Sequence, residues 1–564
     1  MINKIRKLII KKNIDGYIVP KNDKFFTEYS QISNLETVSN FNGSAGFAII
    51  FKNKNYLFVD GRYTIQAKRQ AGENFKIFEI PLTWPKNIFE SLKNKINIGF
   101  DPKLFTYNSL KNYFHDTCDL TPINVNFFDN TKNKNKNKNK FYYLNEKIVG
   151  ENYKSKINKV IKILNKKKLD YLFVSAGENV CWLMNIRGKD LPNSPVANCN
   201  IILTKQKKIY FFSDINKISK IKKKFINHKF FFYNEEKLFE VLSSMKSGSF
   251  CIDRQTCSIF NEEIINSKFA IKERIDPIYD LKSIKNKTEI NNMKKAHIED
   301  GVALTKFLYW IKNIKKINLT EKEVEKKLES FRKKNKNYLY PSFDTIAGSG
   351  PNGAIIHYRS NKQSNRKIDK NDLLLIDSGG QYKWGTTDVT RTVCFSKATN
   401  KIKELFTRVL KGHIAVYQCN IKYEKVGHNI DKKARQSLKT VGLDYRHGTG
   451  HGVGFFLNVH EGPQSISKKN YIKLEEGMVV SNEPGYYLEN KFGIRIENLV
   501  FIKKVENKLC FENLTFAPID KDLINLQMLT KNEKNYLFNY HLETYSKISP
   551  FLNKNQKKWL AKLI

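Results

Sequence analysis

No stretch of the sequence approaches the ~18 consecutive apolar residues that a membrane-spanning helix needs. The apolar part of the opening segment MINKIRKLIIKKNIDGYIVP is also too short for a secretory signal. Paired cysteines are lacking too. The eight present (118, 181, 199, 251, 257, 394, 419 and 510) are scattered without a CxxC, which argues against a disulfide framework and against a thiolate zinc site. These absences predict a soluble, cytoplasmic protein of a reducing compartment, with no membrane partner. Negative charge is in deficit: 55 Asp and Glu stand against 99 Lys and Arg, a net charge of +44. Such an excess ordinarily points to nucleic acid. Here it is Lys rather than Arg, and it travels with Asn, Ile, Phe and Tyr, the signature of A/T-rich codons. No nucleic-acid partner is expected.

What is present is enough for several cores. At 564 residues the chain exceeds the ~250 to 300 at which a single core stops growing, and 40% of it is hydrophobic. The low-complexity run TKNKNKNKNK, residues 131–140, cannot bury apolar surface and reads as a linker. A faint duplication flanks it. Asp15 opens DGYIV, Asp60 ends YLFVD and Asp101 follows IGF; after the linker, Asp170 opens DYLFV, Asp214 ends IYFFSD and Asp253 follows FCI. Two α/β domains of similar plan are therefore predicted, at 1–140 and 141–285, alternating short strands with Lys-rich helices. From 286 the pattern turns to amphipathic helices and then to glycine-rich strands dense in His, Asp and Glu, a third domain over 286–518. A C-terminal extension, 519–564, is expected to pack with it.

The third domain holds four carboxylates that the strand pattern brings together. In DSGGQYKWGTTDVTR a hairpin centred between Tyr382 and Lys383 sets Asp377 opposite Asp388, where like charges destabilise a sheet unless a cation lies between them. In VVSNEPGYYLENKFGIRIENLVF, Glu483 and Glu497 mirror each other about Asn490. Alternation there puts Arg495 and Glu497 on one face and Ile494 and Ile496 on the other. Between the two hairpins lies YRHGTGHGVG with His447 and His451, followed by VHEGP with His460; His357 follows the glycine-rich loop AGSGPNGAII. Four converging carboxylates with an imidazole and no thiolate predict a divalent-metal site of Mn(II), Co(II), Fe(II) or Zn(II) type. Five ligands are too many for one open catalytic ion and suit a bridged pair sharing a hydroxide nucleophile.

Taken together, IDSGG, TTDVTRT, HGTGHGVG, VHEGP, SNEPGYY and GIRIEN resemble the pita-bread-fold metallopeptidases, and among them the three-domain cytosolic Xaa-Pro aminopeptidases. GYIVP, FNGSAG and VDGRYTIQA are similar to that family's first domain, and WLMNIRGKDLPNSPV to its second. The tail from LTFAPIDKDLI to WLAKL is similar to its C-terminal extension. The resemblance implies two creatinase-like α/β domains before a pita-bread α+β catalytic domain. It implies a homodimer that releases the first residue of peptides with proline second, by a hydroxide bridging two metal ions, Mn(II) foremost and Co(II), Zn(II) or Fe(II) as alternatives. Carried over, Asp388 and Glu497 bridge both ions, Asp377 completes one, and His451 and Glu483 complete the other. Glu483 becomes the general base. His357, His447 and His460 orient substrate and stabilise the oxyanion, with His451 also facing substrate; Arg391 supports the carboxylates and Arg62 contacts substrate from the first domain.

A proline dipeptidase shares these ligands, but usually with a single N-terminal domain, so the duplicated first half argues against it. Methionine aminopeptidase would be little more than the third domain. A pita-bread binding module of the histone-chaperone kind has lost the ligands, and so have creatinase-like enzymes, whereas all five ligand positions are filled here.

Overall fold

The computed structural model describes every residue except 29, 31–32, 125–138, 226–228, 315–317 and 362–363. Most of the linker expected at 131–140 therefore lies outside the described residues. The chain forms two compact units, Met1–Tyr279 and Asp280–Ile564.

The first unit contains one sheet topology twice. Its first sheet runs Lys76–Ile80, Asn55–Asp60, Phe47–Phe51, Gly16–Pro20, Ile96–Phe100, Cys118–Pro122. The second runs Phe230–Tyr233, Ile209–Phe212, Asn200–Thr204, Tyr171–Val174, Ser249–Ile252, Ala270–Glu273. In both sheets the strand third in the order pairs antiparallel with each neighbour, and the remaining pairs are parallel. The apolar run of Gly16–Pro20 is buried throughout because both faces of the sheet are covered. Tyr17 and Val19 pack with Ile5, Leu8 and Ile9 of the helix Ile2–Lys11 on one face, while Ile18 joins Phe47, Ile49 and Phe58 on the other.

The second unit begins with the helix Lys287–Lys312. Asn286 caps it, accepting from the Thr288 and Glu289 amides while Glu289 accepts in return from the Asn286 amide, a reciprocal capping box. Its buried stripe of Ile290, Met293, Ala296, His297, Leu304 and Leu308 follows the expected helical spacing. Asp300, on that buried side, accepts from Arg332 (2.7 and 3.2 Å), from the Tyr382 hydroxyl (2.8 Å) and from Thr387 (3.0 Å). The helix is thereby tied to the hairpin that carries the two aspartates. The strand Leu373–Ser378 lies between Ile346–Ser349 and Val389–Cys394, antiparallel to both. A second antiparallel set orders Val479–Asn482, Asn498–Val505 and Lys508–Asn513. Ile494 and Ile496 share a core with Leu405 and Leu410, and with Leu529, Leu537 and Tyr540 of the C-terminal extension. Among the described residues, no helix is long and apolar enough to cross a membrane.

Candidate metal centre

The first hairpin differs from the expected register. Asp377 pairs with Thr390 and Ser378 with Val389, while Gln381 pairs with Thr386 and Tyr382 with Gly385. The turn thus centres between Lys383 and Trp384, one residue later than expected, and Asp388 falls across from Gly379 rather than from Asp377. The cause is steric. A Cβ on Gly379 would stand 1.9 Å from the Thr387 carbonyl oxygen, so the strands close on each other only where one of them has no side chain. A two-residue offset leaves side chains on the same face. The two aspartates therefore share a face as diagonal neighbours.

The second hairpin keeps the expected register. Asn482 pairs with Asn498 and Gly485 with Arg495, which sets Glu483 across from Glu497 in the interval between the two pairs. Ile494 and Ile496 turn into the core, and Arg495 turns toward the carboxylates.

The two hairpins meet around His451. Donor atoms of Asp388, His451 and Glu497 all lie within 4.8 Å of one another. His451 Nε2 stands 3.4 Å from Asp388 Oδ2 and 3.6 Å from Glu483 Oε1. Its Nδ1 is 3.0 Å from the Gly452 carbonyl oxygen, so that nitrogen carries the proton and Nε2 faces the carboxylates as a lone pair. The backbone here approaches Val479–Asn482 closely: a Cβ on Gly450 would lie 1.9 Å from the Ser481 carbonyl oxygen. Ser481 Oγ accepts from the His451 amide (2.9 Å) and donates to Glu483 Oε1 (3.2 Å).

The electrostatics favour a cation. Burial, then Asp377 and Glu483, push the Asp388 carboxyl well above the usual carboxylate range. Burial, then Asp388, Glu483 and Asp377, do the same to Glu497. Burial raises Glu483 as well, against the opposing pull of His451 and Arg495. Asp377 Oδ1 and Asp388 Oδ1 are buried with no hydrogen-bond partner, although buried polar atoms are almost always satisfied. Orphaned carboxylate oxygens, mutual repulsion and one imidazole lone pair make a donor set that fits divalent metal.

Three residues outside the expected set complete the centre. Arg495 donates to Asp377 Oδ2 (2.6 Å), to Thr390 Oγ1 (3.1 Å) and to the Tyr487 hydroxyl (2.7 Å). Thr390, the residue opposite Asp377, donates to Glu497 Oε2 at 2.7 Å. Tyr487 stands 2.9 Å from His447 Nε2, and His447 Nδ1 is 2.7 Å from the Gly448 carbonyl oxygen. The protons therefore run one way, from Arg495 to Tyr487 to His447 to the Gly448 carbonyl. The alternation that puts Arg495 beside Glu497 was a signal for its role; Thr390 became identifiable only with the register.

Arg391 requires correction. It lies opposite Ile376 on the other face of the sheet from Asp377. Its bonds go to the carbonyls of Thr390, Glu497, Ala517 and Pro518, to the Asn498 side chain and to the Tyr540 hydroxyl. It braces the Glu497 backbone from behind rather than touching the carboxylates.

His460 meets His451 edge to face, ring centroids 4.2 Å apart. His357 follows Ile356, whose carbonyl faces the Arg495 guanidinium at 3.4 Å. Arg62, in the first unit, is paired bidentately with Asp60 at 2.9 and 2.7 Å. A second acidic group, Cys394 with Asp520 and Asp522, is already answered by Lys312 Nζ, 2.7 and 2.8 Å from the two carboxylates.

Comparison with known proteins covers the whole chain. Residues 1–125 and 132–289 each match the creatinase/prolidase N-terminal domain, residues 291–504 match metallopeptidase family M24, and residues 507–563 match the C-terminal region of that peptidase family. A probable Xaa-Pro aminopeptidase P of Laccaria bicolor is 36% identical, over 99% of this chain and 92% of that protein. Xaa-Pro aminopeptidase 1 of Dictyostelium discoideum is 36% identical, over 100% of this chain and 96% of its own length. The crystal structure of X-prolyl aminopeptidase from Caenorhabditis elegans, described as a cytosolic enzyme with a di-nuclear active site, superposes with a TM-score of 0.92 at 28% identity. It covers 100% of this chain and 98% of that one.

Proposed function

The chain belongs to metallopeptidase family M24, and from that premise we propose that it is an Xaa-Pro aminopeptidase, releasing the first residue of peptides whose second residue is proline. The observation that carries the reading is the meeting of Asp388, His451 and Glu497 within 4.8 Å, ringed by carboxylate oxygens that lack partners. Full-length relatives named for this activity support it.

In this reading Asp377, Asp388, His451, Glu483 and Glu497 would hold two divalent cations. Mn(II) suits the oxygen-rich set, and Co(II), Zn(II) and Fe(II) accept the same donors. When bound, the ions polarise the scissile carbonyl and bring a water's ionisation toward neutral pH. Glu483 receives the proton of the attacking water on its carboxylate and passes it to the departing prolyl nitrogen. Ser481, bonded to Glu483 Oε1, fixes the orientation of that carboxylate. His460 and His357 supply donors toward the carbonyl oxygen as charge develops there, and His447, both of whose ring nitrogens are engaged by Tyr487 and the Gly448 carbonyl, orients substrate. A peptide bond to proline is a tertiary amide without N–H, so this site recognises its substrate without that donor. Arg62 is assigned to substrate contact by similarity of DGRY to the relatives' first domain. A homodimer belongs to the same reading, and the cytosolic worm enzyme supports a cytoplasmic location.

The test is to load the protein with Mn(II) or Co(II) and offer Arg-Pro-Pro, Ala-Pro and Met-Ala-Ser. Release of Arg from the first is expected. Cleavage of Ala-Pro alone would make the protein a dipeptidase, and no turnover of any peptide would remove the enzyme assignment.

A further inference from the structure

An ion pair that belongs to neither the ligand set nor the histidines lies behind the metal centre. Asp431 and Arg435 stand one turn apart on the helix Gly427–Lys439, each 1% exposed. Arg435 Nε and Nη2 donate to the two Asp431 oxygens at 2.8 and 2.9 Å. Burying such a pair carries a desolvation cost that one contact along a helix does not offset. Every further side-chain hydrogen bond of the two goes to a single loop, residues 444–449. Arg435 Nη1 donates to Asp444 Oδ1 and to the Tyr445 carbonyl, both at 2.7 Å, and Nη2 donates to the His447 carbonyl at 2.6 Å. All five N–H groups of the guanidinium are thus used, a pattern that a lysine ammonium cannot reproduce. The Tyr445 ring lies against the same guanidinium, its centroid 3.9 Å from Cζ. Asp431 Oδ1 accepts from the Thr449 hydroxyl (2.7 Å), which in turn accepts from the Tyr445 hydroxyl (2.5 Å).

Two parts of the centre hang on this loop. His447, whose carbonyl Arg435 grips, meets Tyr487 through Nε2 at 2.9 Å. Thr449, whose hydroxyl Asp431 grips, accepts from the Glu483 amide through its carbonyl at 2.8 Å. The backbones of the substrate-orienting histidine and of the general base are therefore located by one buried pair. A small displacement of such groups is enough to slow a reaction without unfolding the site.

We propose that Arg435, acting with Asp431 and Thr449, is a positioning residue for peptide-bond cleavage, holding His447 and Glu483 in place through the loop 444–449. Positioning of this kind presupposes the aminopeptidase reading given above, and turnover of Arg-Pro-Pro by the native chain checks that reading separately.

The test compares the full-length, Mn(II)-loaded native protein with Thr449→Val, Thr449→Ser and Arg435→Lys, each assayed below its melting temperature. Thr449→Val removes one hydroxyl and leaves Asp431 Oδ1 its bond from Arg435, so the fold is expected to survive, as circular dichroism would report. Its kcat for Arg-Pro-Pro is expected to fall about tenfold with KM and bound metal unchanged, because the general base acts in the transition state. Thr449→Ser keeps the hydroxyl and is expected to retain at least half of the native kcat. Arg435→Lys also frees the His447 carbonyl, so a rise in KM should accompany its fall in kcat. The double variant Arg435→Lys/Thr449→Val should be no slower than the slower single one, since both release the same loop. A pair that only holds the fold would lower the melting temperature and leave kcat of the folded, metal-loaded protein native, which would overturn the proposal. A loss of rate that merely tracks loss of metal would overturn it too, as would losses that multiply in the double variant. Should Arg435→Lys fail to fold, Thr449→Val against Thr449→Ser decides alone. Native protein that leaves Arg-Pro-Pro intact would remove the aminopeptidase reading and this proposal together, whereas native turnover with an unimpaired Thr449→Val removes the proposal only.

Discussion

Arg495 bonds to three groups of the metal centre, with Asp377, Thr390 and Tyr487 all within 3.1 Å. Lysine in its place could serve as a point charge but not as a planar fork meeting three partners. Tyr487 separates two functions of this chain. Its hydroxyl links the guanidinium to His447 but reaches none of the five ligands in the described contacts. Tyr487→Phe is therefore expected to keep full metal content, read by elemental analysis, while kcat falls about tenfold, the loss of roughly 1 to 1.5 kcal/mol of hydrogen bonding. Arg495→Lys is expected to lose metal affinity itself, by the 10- to 100-fold typical of residues that orient ligands. Equal metal loss in both variants would show that Tyr487 supports the ligands rather than the histidine.

Among elements, the segment carrying His460 owes its position to a buried ion cluster. Glu461 Oε1 and Oε2 face Lys285 and Lys282 at 2.9 and 3.0 Å, with all three side chains 1% exposed, and its amide donates to the Gly452 carbonyl at 2.8 Å. These bonds bring His460 back against His451. Burial would raise the Glu461 carboxyl, but Lys282 and Lys285 outweigh it and hold the group below the usual glutamate range. A depressed folded-state pKa gives stability that is present above the unfolded value of ~4.3 and is lost as pH falls through the folded value. Glu461→Gln, which leaves two buried ammonium groups unpaired, is expected to cost about 3 to 5 kcal/mol at pH 7. The gap in urea midpoint between the variant and the native chain should narrow below about pH 4 as the native carboxylate protonates. A gap that stays constant down to pH 3 would place the cost elsewhere.

The same scale shows why one hairpin was readable and the other only in part. In GIRIEN, apolar and charged residues alternate against a core that takes Ile494 and Ile496, and a one-residue slip would expose both, so the register is pinned. DSGGQYKWGTTDVT offers no such alternation. Its glycines tolerate several registers, and the choice is made by the contact of Gly379 with the Thr387 carbonyl, which no local pattern announces. Arg391 failed for a related reason. It sits three residues from Asp388, an odd offset that puts it on the opposite face, where it serves the C-terminal extension through Tyr540.

At the scale of the whole molecule, the repeated Asp-flanked apolar runs were legible because each is a strand end. The order of the sheets was not, since the inner strands Phe47–Phe51 and Asn200–Thr204 run against the parallel plan and strand pairing is not a local property. The two units also divide the ligands unequally. All five metal-ligand candidates lie in Asp280–Ile564, on segments spread from Asp377 to Glu497, and none lies in Met1–Tyr279. Metal binds only the state in which those segments are assembled, so it stabilises that state by about 2.7 kcal/mol when free metal is 100 times its dissociation constant. An opening that breaks the centre becomes about 100-fold rarer under those conditions. Hydrogen exchange followed by mass spectrometry, in Mn(II) and then in excess chelator, should show this locally. Amides of Ile376, Val393, Val480 and Val500, all buried and strand-paired, are expected to exchange up to about 100-fold more slowly with metal. Those of Ile18, Val19, Leu172 and Phe173 in the first unit's central strands should not change. Uniform slowing across both units would mean that metal acts on the chain as a single cooperative block, and no slowing in the second unit would mean that these five side chains do not hold it.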